Sequence, residues 1–142
     1  MKGYDMENNA IATVNNPFGI ERGGMYCSLA AETQDERLAV YAAVSNAESL
    51  DDYIGTPIDV ANVVIQSVEV EDEDGETRDA LRIVLIADDG KAYGCMSNGV
   101  QTAVRNLMGI VGMPPWYPSI RLVPTKKQGR NGYKFTTLEV PR

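Results

Sequence analysis

Histidine is absent from this chain of 142 residues, and cysteine occurs only twice. The first absence removes Ser-His-Asp and Cys-His catalysis, histidine acid/base chemistry near neutrality and mixed Cys/His zinc sites. An enzyme would be left with carboxylate, lysine or tyrosine chemistry. Cys27 and Cys95 are far apart and form no CxxC, so both read as reduced, Cys95 as a small hydrophobe in a strand. No glycine-rich phosphate loop of the GxxxxGK(S/T) or GxGxxG type is present. The run Glu71-Asp72-Glu73-Asp74-Gly75-Glu76 fails as a calcium loop. Aligning Gly75 with the invariant loop glycine leaves Val70 and Leu81 at the first and last ligand positions. No metal and no cofactor is therefore expected. No apolar run approaches the roughly 20 residues of a membrane helix, and Met1-Lys2-Gly3-Tyr4-Asp5-Met6-Glu7 is no signal peptide. A cytoplasmic protein without a membrane partner is expected.

What is present is unevenly distributed. Residues 1–90 carry nineteen Asp/Glu against five Lys/Arg, whereas residues 91–142 carry one acid, Glu139, against eight bases. The net charge of −7 conceals a basic C-terminal third threaded with Trp116, Tyr117, Tyr133 and Phe135. Cations beside flat rings suit single-stranded nucleic acid, whose phosphates take positive charge and whose unstacked bases take π-faces.

The chain length fits one domain. Residues 1–36 are polar and broken by Asn15-Asn16-Pro17 and Gly23-Gly24, and read as a flexible or loosely docked arm ahead of a domain over 37–142. The run Leu38 to Val44 is apolar but of ambiguous type, and Ser49 to Gly55 reads as a capped helical turn stopped by glycine. From Ile58 to Val70 the period is two, with Ile58, Val60, Asn62, Val64, Gln66, Val68 and Val70 on one side and Val63 and Ile65 on the other. The acidic turn leads into a second strand, Ala80 to Ala87, and Asp88-Asp89-Gly90 turns into a third, Lys91 to Met96. Val100, Ala103, Val104, Leu107, Met108 and Val111 then fall on one helical face, with Asn98 and Gln101 as a capping-box variant and Gly109 or Gly112 as the stop. After the proline-framed Met113 to Pro118 comes a last hairpin, Ile120 to Val123 and Tyr133 to Val140, with a loop from Pro124 to Gly132. Three strands, one helix and two strands is the element order of a five-stranded OB-fold barrel, mainly β, with its helix between the third and fourth strands.

From about Leu50 to Val140 the chain resembles the small single-stranded-DNA-binding proteins of bacteriophages and related mobile elements. The resemblance lies in Ser49-Leu50-Asp51-Asp52-Tyr53-Ile54-Gly55, in Arg82 to Tyr93 and in Gly112-Met113-Pro114-Pro115-Trp116. It implies a non-catalytic OB-fold that coats single-stranded DNA with low sequence specificity during replication or recombination. Implied partners are single-stranded DNA, further copies of the chain and replication or recombination proteins. The ending Glu139-Val140-Pro141-Arg142 lacks the acidic tail of the bacterial single-strand-binding proteins, so tail-mediated recruitment is not expected.

OB-folds bind across their second and third strands, flanked by the loops joining strands one and two and strands four and five. Here the first loop is acidic, and the second carries Lys126, Lys127 and Arg130 as phosphate contacts or as an ordinary solvated turn. Lys91 and Tyr93 share one face of the third strand, with Tyr93 either stacking on bases or filling the barrel. Arg82 would sit beside that ring or pair with an acid. Tyr133 and Phe135 lie on one side of the last strand and Lys134 on the other, so that only one set would face solvent. Trp116 and Tyr117 are a base platform, a protein interface or a cover for the barrel end, and Arg121 completes the set. Two other classes fit the same chain. An acidic DNA-mimicking inhibitor would bind a basic protein, and a virion or assembly component would use its aromatics between subunits.

Overall fold

The computed structural model describes residues 18–21 and 23–141. Of the arm expected over 1–36, residues 1–17 and 22 lie outside the described residues. The remainder supplies β1 (Met25–Cys27) and the start of α1 (Gln34–Ser45). Next come β2 (Glu48–Ser49), a 3-10 turn (Leu50–Tyr53), β3 (Ile58–Glu71), β4 (Thr77–Ala87) and β5 (Ala92–Cys95). The chain ends with α2 (Asn98–Ile110), β6 (Ile120–Gln128), a 3-10 turn (Arg130–Gly132) and β7 (Lys134–Glu139). No helix among the described residues is long and apolar enough to cross a membrane.

The protein is mainly β, with two helices among the described residues. The strand count corrects the expectation of five: β1 and β2 bring it to seven among the described residues, and α2 falls between the fifth and sixth of these strands. The path β2-β5-β4-β3-β6-β7 curls into a half-barrel, with β1 pairing β3 off that path. Strand β3 serves both β6, through Ile58 to Val60, and β1, through Val64 to Gln66, along one edge. Among the described residues no ladder joins β5 to β7, so the curl stays open along that seam.

A strict period of two does not survive in β3. The register to β4 shifts between Val60 and Asn62, and this bulge turns the strand over. Ile58 and Val60 before it, and Val63 and Ile65 after it, therefore point into the same core, with Ile83, Leu85, Tyr93, Val100, Val104, Trp116 and Leu122. On the outer face Val64, Val84, Ile86 and Ala92 pack against Cys27, Leu29, Ala43, Val44 and Ala47.

That outer layer is held by polar stitching. The Ser28 hydroxyl donates to Asn62 Oδ1 at 2.9 Å and accepts the Val63 N–H at 2.9 Å. Helix α1 starts in a capping box: Thr33 Oγ1 accepts the Glu36 N–H at 3.1 Å, and Glu36 Oε1 accepts the Thr33 N–H at 3.0 Å. The Thr33 N–H, with the Glu32 N–H that Glu36 Oε1 also accepts at 2.9 Å, holds the Glu36 carboxyl below the usual range, and such a cap contributes about 1 kcal/mol. In α2 the cap is Ser97, not Asn98, with its hydroxyl accepting from Gly99 and Val100 N–H. Gly112, at φ 113°, ends it. Val111, assigned to the apolar stripe, is exposed.

Candidate nucleic-acid interface

The outer face of β4 and β5, where OB-folds ordinarily receive ligand, is largely covered here. Residues of 27–47 bury Val84, Ile86 and Ala92. Arg82 on that face donates from Nη1 to Val44 O at 3.1 Å and Gln66 Oε1 at 3.2 Å. Its guanidinium lies over Gly94, where a Cβ would come within 2.8 Å of Nη2. It neither touches the Tyr93 ring nor forms a salt bridge among the described residues. Tyr93 points into the core, 7% exposed, edge-on to Tyr53 with centroids 4.8 Å apart.

The accessible surface shifts sideways to the open seam. A groove of about 1150 Å³ runs there, walled by Glu48, Ser49 and Asp51 on one side, Gly94 to Gly99 and the α2 face behind, and Lys126 and Tyr133 to Leu138 opposite. It brings together five of the expected residues: Arg82, Lys126, Tyr133, Lys134 and Phe135. No ladder closes it, but side chains cross it. Ser97 Oγ donates to Thr136 O at 2.7 Å and Thr136 Oγ1 donates to Asp51 Oδ1 at 2.8 Å.

Strand β6 determines which cations reach the groove. Pro124 was expected to open a loop, yet β6 runs through it to Gln128. Its carbonyl accepts the Gly55 N–H at 2.8 Å, so the missing N–H would have lain on the edge away from β7, and no β6–β7 bond is lost. Lys126 and Lys127 consequently sit in a strand and face opposite ways. Lys126 Nζ lies 3.8 Å from Asp51 Oδ2 in the groove, whereas Lys127 Nζ reaches Glu139 Oε2 at 2.8 Å, outside the groove lining, on the hairpin face it shares with Phe135. Tyr133, 70% exposed, and Lys134 both meet solvent, against the expectation that only one set would. The end of the hairpin stands clear of the core, and burial on the Lys134 face resumes only at Thr136 and Leu138. Phe135 is half-buried, against Gly99 and Gly129.

The remaining expected residues lie elsewhere. Trp116 is 5% exposed, packed in the core, and its Nε1–H donates to Gly112 O at 2.8 Å, so its ring is unavailable for stacking. Tyr117, 75% exposed, stands outside the groove lining. Arg121 is clamped by Asp59 through Nε at 2.8 Å and Nη2 at 3.1 Å. That bridge holds the Asp59 carboxyl below its usual range and raises Arg121. Lys91 lines a smaller groove beside α1, and Arg130 is exposed at the hairpin tip. The acidic turn at 71–75 does not line the main groove.

Sequence reasoning missed the groove's polar wall. Asn98, Thr102 and Asn106 line it from α2. Their spacing of four along a helix was a readable signal, a polar stripe beside the apolar one. Asp51 and Glu48 were also missed. Glu48 accepts a short hydrogen bond from the Tyr53 hydroxyl, which pushes that phenol up to about 12. Cys95 lines the groove with its thiol pushed up to about 11, mainly by burial, so it is a neutral wall element.

The arrangement offers three cations, two rings and a row of amide and hydroxyl groups along an open trough. Comparison with known proteins gives one family: a model described as Phage Single-stranded DNA-binding protein matches residues 22–141. No curated protein and no solved structure matches the chain.

Proposed function

The chain belongs to the phage single-stranded DNA-binding protein family, which is DNA-binding and non-enzymatic, and from that premise we propose that it coats single-stranded DNA with little sequence preference during phage replication or recombination in the host cytoplasm. The strand lies in the seam groove. Arg82, Lys126 and Lys134 take phosphates, Tyr133 and Phe135 take base faces, and Asn98, Thr102 and Asn106 hydrogen-bond without demanding one base. The observation carrying this reading is the convergence of those cations and rings on one open trough. Stacking contributes about 1–3 kcal/mol per base and tolerates any sequence, because every base has a π-face.

The curled sheet also supports an OB-like assignment: β3, β4, β5, α2, β6 and β7 follow that element order. Strand β1, helix α1 and the segment joining them are then additions that cover the customary face, β2 is an addition that walls the groove beside β5, and the seam is left as the site. Membership of a DNA-binding family favours this reading over an acidic inhibitor or a virion component.

Fluorescence anisotropy of labelled oligo-dT tests it. Saturable binding is expected at low salt, weaker for a duplex of the same length. Log affinity should fall with log salt at about −0.7 per phosphate neutralised, hence a slope no steeper than about −2 for three groove cations. No anisotropy change with oligo-dT at low salt, or equal affinity for duplex, would overturn the proposal. A labelled oligonucleotide suits the experiment better than intrinsic fluorescence, since Trp116 is buried away from the groove.

A further inference from the structure

We infer that Asp51 is an internal competitor for phosphate that sets the affinity of the groove, an inference that rests on the single-stranded-DNA reading above. Two observations on different atoms carry it. One carboxylate oxygen lies 3.8 Å from the Lys126 ammonium on β6, and the other accepts the Thr136 hydroxyl on β7 at 2.8 Å. Asp51 itself sits on the 3-10 turn after β2, across the seam from that hairpin. A single side chain therefore ties both strands of the β6–β7 hairpin to the opposite wall, where no backbone ladder does so.

Charge governs the exchange when a strand enters. A phosphate on Lys126 must take the position of a carboxylate of the same sign, and a carboxylate left within a few ångströms repels it. Binding thus exchanges one ion pair for another and frees Asp51 to attract a cation from solution. Uptake of that cation offsets part of the counterion release that drives association. Lys134, which lines the same groove, makes no ion pair among the described residues and loses nothing when it meets phosphate. Asp51 therefore lowers affinity and salt sensitivity at one of two otherwise similar lysines. A strand-coating protein that polymerases must displace gains a faster exit from such a competitor.

Asp51→Asn tests this, because the amide oxygen still accepts the Thr136 hydroxyl while the charge is removed. Oligo-dT affinity should rise about two- to fivefold at low salt, the range of exposed ion pairs, with a steeper salt slope by up to about 0.7. In a Lys126→Met background the gain should vanish. A second arm does not depend on how Asp51→Asn folds: Lys126→Met alone should cost less affinity than Lys134→Met, since both lysines are exposed but only Lys126 is already neutralised. Unchanged or weaker binding by Asp51→Asn, a gain that persists without Lys126, or a Lys126→Met loss at least as large as that of Lys134→Met would each overturn the inference. If the wild-type protein binds oligo-dT in those experiments, the parent reading stands; if it does not, the parent reading fails first.

Discussion

The double substitution Lys126→Glu with Lys134→Glu should lower oligo-dT affinity about a hundredfold at low salt. The two lysines reach the groove from opposite strands of the β6–β7 hairpin, Lys126 from β6 and Lys134 from the start of β7. Each reversal removes a phosphate contact and adds a like charge beside the strand. A hundredfold loss corresponds to about 2.8 kcal/mol, the scale of one or two hydrogen bonds to charged groups, with the larger share at Lys134 because Asp51 already offsets Lys126. The salt slope should flatten by about 0.7 to 1.4, because two phosphates are no longer neutralised and Asp51 already offsets part of the Lys126 share. Both side chains are exposed and the Lys126–Asp51 pair is a surface one, so the melting temperature should fall by no more than a few degrees, small beside the loss of binding. Lys127→Glu provides the contrast. That lysine lies outside the groove lining and is paired with Glu139, and its reversal should change affinity less than about threefold, the modest effect of a screened charge already neutralised. A Lys127 effect equal to that of Lys126 would carry the strand's path out of the groove and over the Lys127–Glu139 pair.

Gly99→Ala should produce the largest loss of stability from a small change, about 3 kcal/mol by analogy with overpacked cores, or on the order of 10 °C in melting temperature. A Cβ at this position would come within 2.2 Å of Thr136 O and 2.8 Å of Phe135 Cδ2. The first is backbone, already accepting the Ser97 hydroxyl, so it cannot yield without breaking the bond that carries α2 across the seam. Relief requires α2 and β7 to part. Urea denaturation with a wild-type m-value would show that stability changed while the extent of unfolding did not. A loss under about 0.5 kcal/mol, the scale of an ordinary surface substitution, would mean that the close approach of α2 to β7 is absent in solution. Because Gly99 also lines the groove, the surviving folded fraction should bind oligo-dT differently from the wild type.

The parts of the fold written in local chemistry were legible in the sequence. Asp88-Asp89-Gly90 makes the turn expected of it, with Gly90 at φ 92°, and Gly75, at φ 88°, sits in the acidic turn between β3 and β4. The apolar face of α2 is buried at Val100 and Val104 as its spacing requires. Helix α1 was equally readable and was overlooked: Thr33-Gln34-Asp35-Glu36 is a capping box directly before an apolar run. Its low amphipathicity obscured it, since Leu38 and Tyr41 remain exposed and only Val40 is buried.

What was illegible depended on long-range packing. A bulge at Ala61 inverts which β3 residues enter the core, and nothing in a run of alternating valines announces where parity breaks. Pro124 reads as a strand terminator until its unpaired edge is known. Lys126 and Lys127 look equivalent in a loop and become opposites once β6 runs through them. The site moved for the same reason: residues 27–47 cover the face that the element order recommends, and the pairing of Asp51 with Lys126 and Thr136 joins residues distant in sequence. The charge division along the chain was correct as arithmetic. In three dimensions, however, acids of the first half reach the bases of the second, as Asp59 does Arg121.

The central claim, that single-stranded DNA lies along the seam between β2/β5 and β7, is most directly tested by titrating isotope-labelled protein with oligo-dT and following backbone amide resonances. The structure predicts shifts concentrated at Gly94 to Thr102 and at Lys126 and Tyr133 to Thr136, with the turn at 71–75 unmoved. Shifts confined to α1 and the Lys91 groove, or to the Tyr117 loop, would contradict it.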